Sequence, residues 1–195
     1  MSQIVLADEI NRTSPRTQSS LLEVMEEGQV TVDGVTHPLP EAQMDRFFLR
    51  ITIGYPSIEE EMDVLERYSG QASPLSSLQS VCGAGDVVAM QELVGAVYCS
   101  REVRAYVAQL AALTRKHPAL ALGVSPRGAI ALIRAAQGCA VLAGRDYILP
   151  DDVKRMALPV LSHRLILTPE ARMKGQSAQQ ILLGLLSSVP VPGAQ

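Results

Sequence analysis

The sequence predicts a partial α/β core followed by an all-α bundle, predominantly helical overall. Three observations carry that expectation. A short apolar run, Ile4–Ala7, ends on the adjacent acids Asp8 and Glu9, as a buried parallel strand does when it delivers side chains to a sheet edge. A hairpin pattern follows over Gln29–His37. From Pro56 onward, apolar residues recur at helical spacing between N-capping signals almost to the C-terminus. The expected division is 1–56 for the partial core, 57–188 for the bundle and 189–195 for a frayed, flexible tail.

Each element has a local reason. After Ile4–Ala7, Ser14 is an N-cap, Pro15 suits the first helical turn, and Leu21, Val24 and Met25 share one face before Gly28 stops the helix. Val30 and Val32 then alternate with polar residues, Asp33-Gly34 is a tight-turn dipeptide, and Val35 restarts the apolar face. The stretch Pro38-Leu39-Pro40-Glu41 breaks the hairpin. A short helix or turn over Gln43–Phe48 and a strand within Phe47–Ile53 follow. Ser57 and Glu60 form a capping box ahead of Ile58, Met62 and Leu65. A Ser-rich connection spans Gln71–Ser80. Further helices are expected over Asp86–Cys99, Arg101–Lys116, Pro126–Ala143, Asp151–Arg164 and Gln176–Ser187.

Composition excludes several classes. The net charge is −3 and aromatic residues make up 4 %, with no Trp, so neither a polyanion-binding surface nor a base-stacking one is indicated. Cys82, Cys99 and Cys139 form no CxxC pair, and an odd count argues against a disulfide framework; a reducing, cytoplasmic setting is expected. No basic-then-apolar leader precedes Ile4. The most apolar helical stretch carries Arg134 and Gln137 and is too short and polar to span a bilayer, so no membrane insertion is expected.

Few residues stand out chemically. Asp8 and Glu9 suit a site in which one acid holds a metal and the next polarises a water; solvent-facing acids at a strand end are the commoner meaning of such a pair alone. Arg46, before Phe47 and Phe48, can reach a phosphate on a neighbouring subunit while the aromatic pair anchors the segment, or it can pair with Asp45. Arg127 follows Ser125-Pro126 at a helix start, where a cation is locally unfavourable unless an anion binds there; an exposed, solvated Arg is the alternative. His37, His117 and His163 lack acidic or Cys neighbours at ligand spacing, so neither zinc nor a nucleophilic triad is indicated. Cys99 and Cys139 read as core residues, and His163-Arg164 as cations suited to a helix C-terminus.

Taken in order, IVLADEINR, SPRTQSSLLEVMEEGQVTVDGVTHPLP, PLPEAQMDRF, GYPSIEEE, SPRGAIALI and LPDDVKRMALPVLSHRL closely resemble the MoxR branch of AAA+ ATPases. The resemblance covers nearly the whole chain. It implies a RecA-like α/β core with a helical lid, ATP and Mg²⁺ as cofactors, and a homo-oligomeric ring, expected to be a hexamer. It also implies chaperone-like maturation of partners that include von Willebrand A domain proteins. Carried over by position, Asp8 and Glu9 match the Walker B pair, with Asp8 on the metal and Glu9 catalytic. Gln29–His37 matches a hairpin that projects toward the ring pore. Arg46 matches the arginine finger, and Arg127 the lid arginine called sensor 2.

The sequence departs from that pattern twice. No GxxxxGK[ST] occurs in it, and the chain starts where the family's third core strand starts. PLPE also occurs once where relatives carry two similar stretches flanking a strand with a polar sensor residue, which implies an internal deletion of that strand. These 195 residues alone are therefore expected to be inactive as an ATPase. Two other functions compete: a non-catalytic helical interaction module derived from the lid, and a magnesium-chelatase-type motor subunit.

Overall fold

A computed structural model of the chain describes residues 29–32, 35–38, 45, 47–69 and 79–192. The expected strand Ile4–Ala7, the helix from Ser14, half of the Gln43–Phe48 turn and the last residues of the tail lie outside the described residues. The chain divides into two compact units, one up to Phe48 and one from Leu49.

In the first unit, β1 (Gln29–Val32) and β2 (Val35–Pro38) pair antiparallel, with Val30 opposite His37 and Val32 opposite Val35. The hairpin read from the alternation is therefore present in β1 and β2.

The second unit holds the helices. Ser57 caps α1 (Ile58–Tyr68): its Oγ accepts the Glu60 N–H at 3.3 Å, and Glu60 Oε2 accepts the Ser57 N–H at 2.8 Å. α2 (Ala84–Ala96) starts with Asp86 accepting the Gly83 N–H at 2.7 Å. α3 (Arg101–Lys116) is capped by Ser100 and buries Val103, Tyr106, Val107, Leu110, Ala111 and Thr114, the stripe a 3.6-residue period dictates. α4 (Pro126–Leu142) buries a face of small residues, among them Gly128, Ala131, Ala135, Ala136 and Ala140, with Leu132 filling the gap. That smooth face packs extensively on α5 (Pro150–Leu161). Pro159 lies inside α5, and the helix tightens into a 3₁₀ turn over Ser162–Arg164 soon after. α6 (Pro169–Met173) and α7 (Ala178–Ser188) follow, the latter capped by Ser177 and driving Leu182 into the core. Among the described residues no helix is long and apolar enough to cross a membrane.

Three expectations change. The strand expected within Phe47–Ile53 does not form: Arg50 N–H donates to Pro159 O at 2.8 Å, and no ladder forms, because a strand exists only where a second strand meets its backbone. A short antiparallel ribbon joins β3 (Leu120–Leu122) to β4 (Ile166–Leu167), two pieces too short to show a period. Finally, α1 and α2 bury none of their residues, although α2 lies against α4.

Candidate functional site

Arg127 is the predicted site residue that the structure describes, and its position is built from the end of α3. The chain leaving β3 crosses that end so closely that a Cβ on Gly123 would sit 2.6–2.7 Å from backbone atoms of Thr114 and Arg115. Only glycine allows this approach. The buried Thr114 hydroxyl donates to Ala111 O at 2.7 Å and accepts the Val124 N–H at 2.9 Å, while Arg115 Nε donates to Val124 O at 2.7 Å. Both backbone polar groups of the fully buried Val124 are thus held by α3, which sets where α4 begins.

The first turn of α4 follows directly. Ser125 Oγ accepts the Gly128 N–H at 3.1 Å, and Pro126 occupies the first helical turn with its fixed φ. Arg127 comes next and is exposed, its side chain making no hydrogen bond or ion pair to another described residue. Gly128 faces inward; a Cβ there would lie 3.0 Å from both Arg164 Cδ and Val124 Cγ1. Arg164 is therefore buried beneath this turn, donating to Val160 O, with His163 Nε2 at 3.0 Å from its guanidinium. No acid lies in the first turn of α4. Arg127 at a helix N-terminus with no acid in its first turn is an arrangement that suits an anion.

The loop between α4 and α5 is pinned separately. Arg145 grips Asp152 with two hydrogen bonds of 2.9 and 2.7 Å, and Asp152 also accepts the Leu149 N–H at 2.8 Å. Burial pushes the Asp152 carboxyl up, but the Arg145 and Leu149 hydrogen bonds and the Arg145 charge outweigh it and hold it below the usual range. The Arg145 guanidinium also lies over the Tyr147 ring, 5.8 Å from its centre. Tyr98 N–H donates to Asp146 O at 2.7 Å, Ile148 N–H to Tyr98 O at 3.0 Å, and buried Gln137 to Val97 O at 2.9 Å, which ties this loop to the start of α3. A cavity of about 530 Å³ opens elsewhere, between Arg50–Thr52, the end of α5 and the start of α7.

Asp8, Glu9 and Arg46 lie outside the described residues. Phe47 and Phe48, expected to anchor the Arg46 segment, are exposed. His117 Nδ1 accepts the Ala119 N–H at 3.2 Å and shapes a turn. Cys99 and Cys139 are half-buried; burial raises the Cys99 thiol, partly countered by Arg104. Arg164, read as a cation suited to a helix C-terminus, does donate to the helix-end carbonyl of Val160; what the sequence did not show is that it is buried. Its apolar neighbours Leu161 and Leu165 are the signal that could have shown it. Gly123 carried no signal, because its role exists only where the chain crosses the end of α3.

Residues 112–183 match the AAA lid domain, and residues 1–44 match the ATPase family associated with various cellular activities. YeaC of Bacillus subtilis, itself uncharacterised, is 45 % identical over 98 % of this chain and 66 % of its own length. Chaperone MoxR1 of Mycobacterium tuberculosis is 34 % identical over 98 % of this chain and 58 % of its own. Protein MoxR of Paracoccus denitrificans is 28 % identical over 96 % and 67 %. A candidate ATPase of Cytophaga hutchinsonii, solved as a crystal structure, superposes with a TM-score of 0.74 at 32 % identity, covering 92 % of this chain and 63 % of that one. The chain thus spans 58–67 % of the length of these relatives. The YeaC alignment runs over 213 positions, more than the chain's 195 residues, so at least 18 positions of that relative have no counterpart here. With the motif order, the helical lid and these matches in agreement, the chain belongs to the MoxR family of AAA+ proteins.

Proposed function

We propose that this protein serves as a MoxR-type ATPase, one subunit of an oligomeric ring, a hexamer in the family's manner, that couples ATP hydrolysis to chaperone-like maturation of partner proteins in the cytoplasm. Proteins with von Willebrand A domains are the proposed partner class. The observation that carries the reading is the presentation of Arg127: exposed, at a capped helix N-terminus, on a turn fixed from both sides by α3 and Arg164.

The donor set suits ATP with Mg²⁺. Carboxylate oxygens are hard ligands for Mg²⁺, and guanidinium groups pair with phosphate oxygens. Asp8 would hold the metal, Glu9 would polarise the attacking water, and Arg46 would reach across to the neighbouring subunit's nucleotide. Arg127 would meet the terminal phosphate and couple it to the lid. ATP supplies the phosphoanhydride whose cleavage drives the cycle. Within these 195 residues there is no GxxxxGK[ST] to cradle the phosphates. We therefore propose that they are inactive alone. The positions of YeaC without a counterpart support the loss of an internal strand.

Calorimetric titration of the chain with a slowly hydrolysed ATP analogue and Mg²⁺ should give no tight binding; low-micromolar, Mg²⁺-dependent binding would show the loop to be dispensable. In a restored full-length form that carries a phosphate loop, Glu9→Gln should keep ATP binding and lower hydrolysis at least about a hundredfold, the scale of a lost general base. An unchanged rate would remove Glu9 from the mechanism.

A further inference from the structure

The apolar stripe of α1 is a surface the proposed function does not use. Ile58, Met62 and Leu65 fall on one side of the helix and are 79 %, 63 % and 66 % exposed. The helix does not depend on burial for its start, because the Ser57–Glu60 capping box satisfies its first backbone groups. It is only 11 residues long, and a helix of that length is marginal by itself in water. Covering the stripe would therefore stabilise it directly.

Charge decides what can cover it. Five acids, Glu59, Glu60, Glu61, Asp63 and Glu66, stand against a single Arg67. At 100° per residue Glu61 borders the stripe on one side, and Glu59 and Glu66 on the other. A second copy of α1 laid along the stripe would set these carboxylates against one another, a repulsive arrangement. Anionic lipid and nucleic acid are repelled in the same way. We infer that the acid-bordered stripe of α1 docks a basic amphipathic helix of a partner protein, its apolar residues on Ile58, Met62 and Leu65 and its Lys or Arg residues against Glu59, Glu61 and Glu66. This does not depend on nucleotide binding.

The test titrates the full chain into a fluorescent amphipathic peptide of Leu and Lys, with Leu at helical spacing, and reads polarisation. Saturable binding is expected, weakened about tenfold or more by high salt, which screens charges beyond a few ångströms. The variant Met62→Asn/Leu65→Asn should weaken it at least about tenfold, with an unchanged circular dichroism spectrum because neither residue is buried. Glu59→Lys/Glu61→Lys/Glu66→Lys should transfer the preference to a Leu–Glu peptide. Equal binding of the Leu–Lys peptide by the Asn variant, or of both peptides by the wild type, would overturn the inference. So would a sedimenting dimer that the Asn variant abolishes, which would make a second copy the occupant, or slow hydrogen exchange of α1 in the isolated monomer, which would mean the chain covers the stripe itself.

Discussion

α1 and α3 begin alike and end differently. Each has a serine N-cap, glutamate in its first turn, arginine in its last and apolar residues at helical spacing. α3 buries its apolar stripe, with Leu110 wholly inaccessible, whereas α1 buries nothing. Caps and periodicity decide that a segment is helical and which side is apolar. Whether that side is covered depends on a neighbour with a matching surface, and the small-residue face of α4 and the residues of α7 give α3 such neighbours.

The comparison implies a gradient of mutational cost. The largest effect is expected at the bundle centre: Leu132→Ala, in a position 1 % exposed, should lower stability by about 2–5 kcal/mol in urea unfolding. A cost similar to that of Leu65→Ala would mean that the bundle core is as loose as the α1 surface. Next comes Gly123→Ala, whose methyl must displace backbone of Thr114 or Arg115, at about 1–3 kcal/mol. Because Gly123 also sets the entry to α4, loss of that geometry should appear as altered hydrogen exchange at Val124 and Gly128.

Asp152 gives a pH test. Its folded carboxyl is held below the ordinary value, so its contribution is complete above the unfolded pKa of about 3.9 and is lost as pH falls through the lower folded value. Between about pH 5 and about pH 3 the wild type should lose more of its urea midpoint than Asp152→Asn. Parallel losses would show that the Arg145 clasp adds nothing to folding. Smaller still is Tyr106→Phe. The buried Tyr106 hydroxyl finds no hydrogen-bond partner among the described residues, so removing it should be neutral or stabilising by up to about 1 kcal/mol. The smallest effect is on α1: Leu65→Ala should stay within about 0.5 kcal/mol, because its side chain is already in water.

Much was legible in the residues themselves. Ser57, Ser100, Ser125 and Ser177 each cap the helix that follows, the alternation about Asp33-Gly34 gave a hairpin, and the stripe from Val103 to Thr114 is buried as its spacing requires. These features depend on neighbours within a few positions, so a linear reading reaches them. Arg127 at a helix start was equally plain, since Ser-Pro-Arg-Gly states both the cap and the turn.

Other features needed the folded chain. Phe47–Ile53 has a strand's composition but no strand, because pairing belongs to two segments and not to one. Arg164 read as a helix-end cation, and only the folded chain shows it buried beneath Gly128; the β3–β4 ribbon joins segments more than forty residues apart in the chain. Sequence alone determined where the described helices are capped, which stripe of α3 is apolar and that a positive side chain stands at the head of α4, because each follows from backbone hydrogen bonding and periodicity over one or two turns. The tertiary structure decided which stripes are covered, that Arg164 is buried and Arg127 exposed, and that Val124 is gripped by α3, because burial and long-range hydrogen bonds are properties of two surfaces meeting and neither surface alone encodes the other.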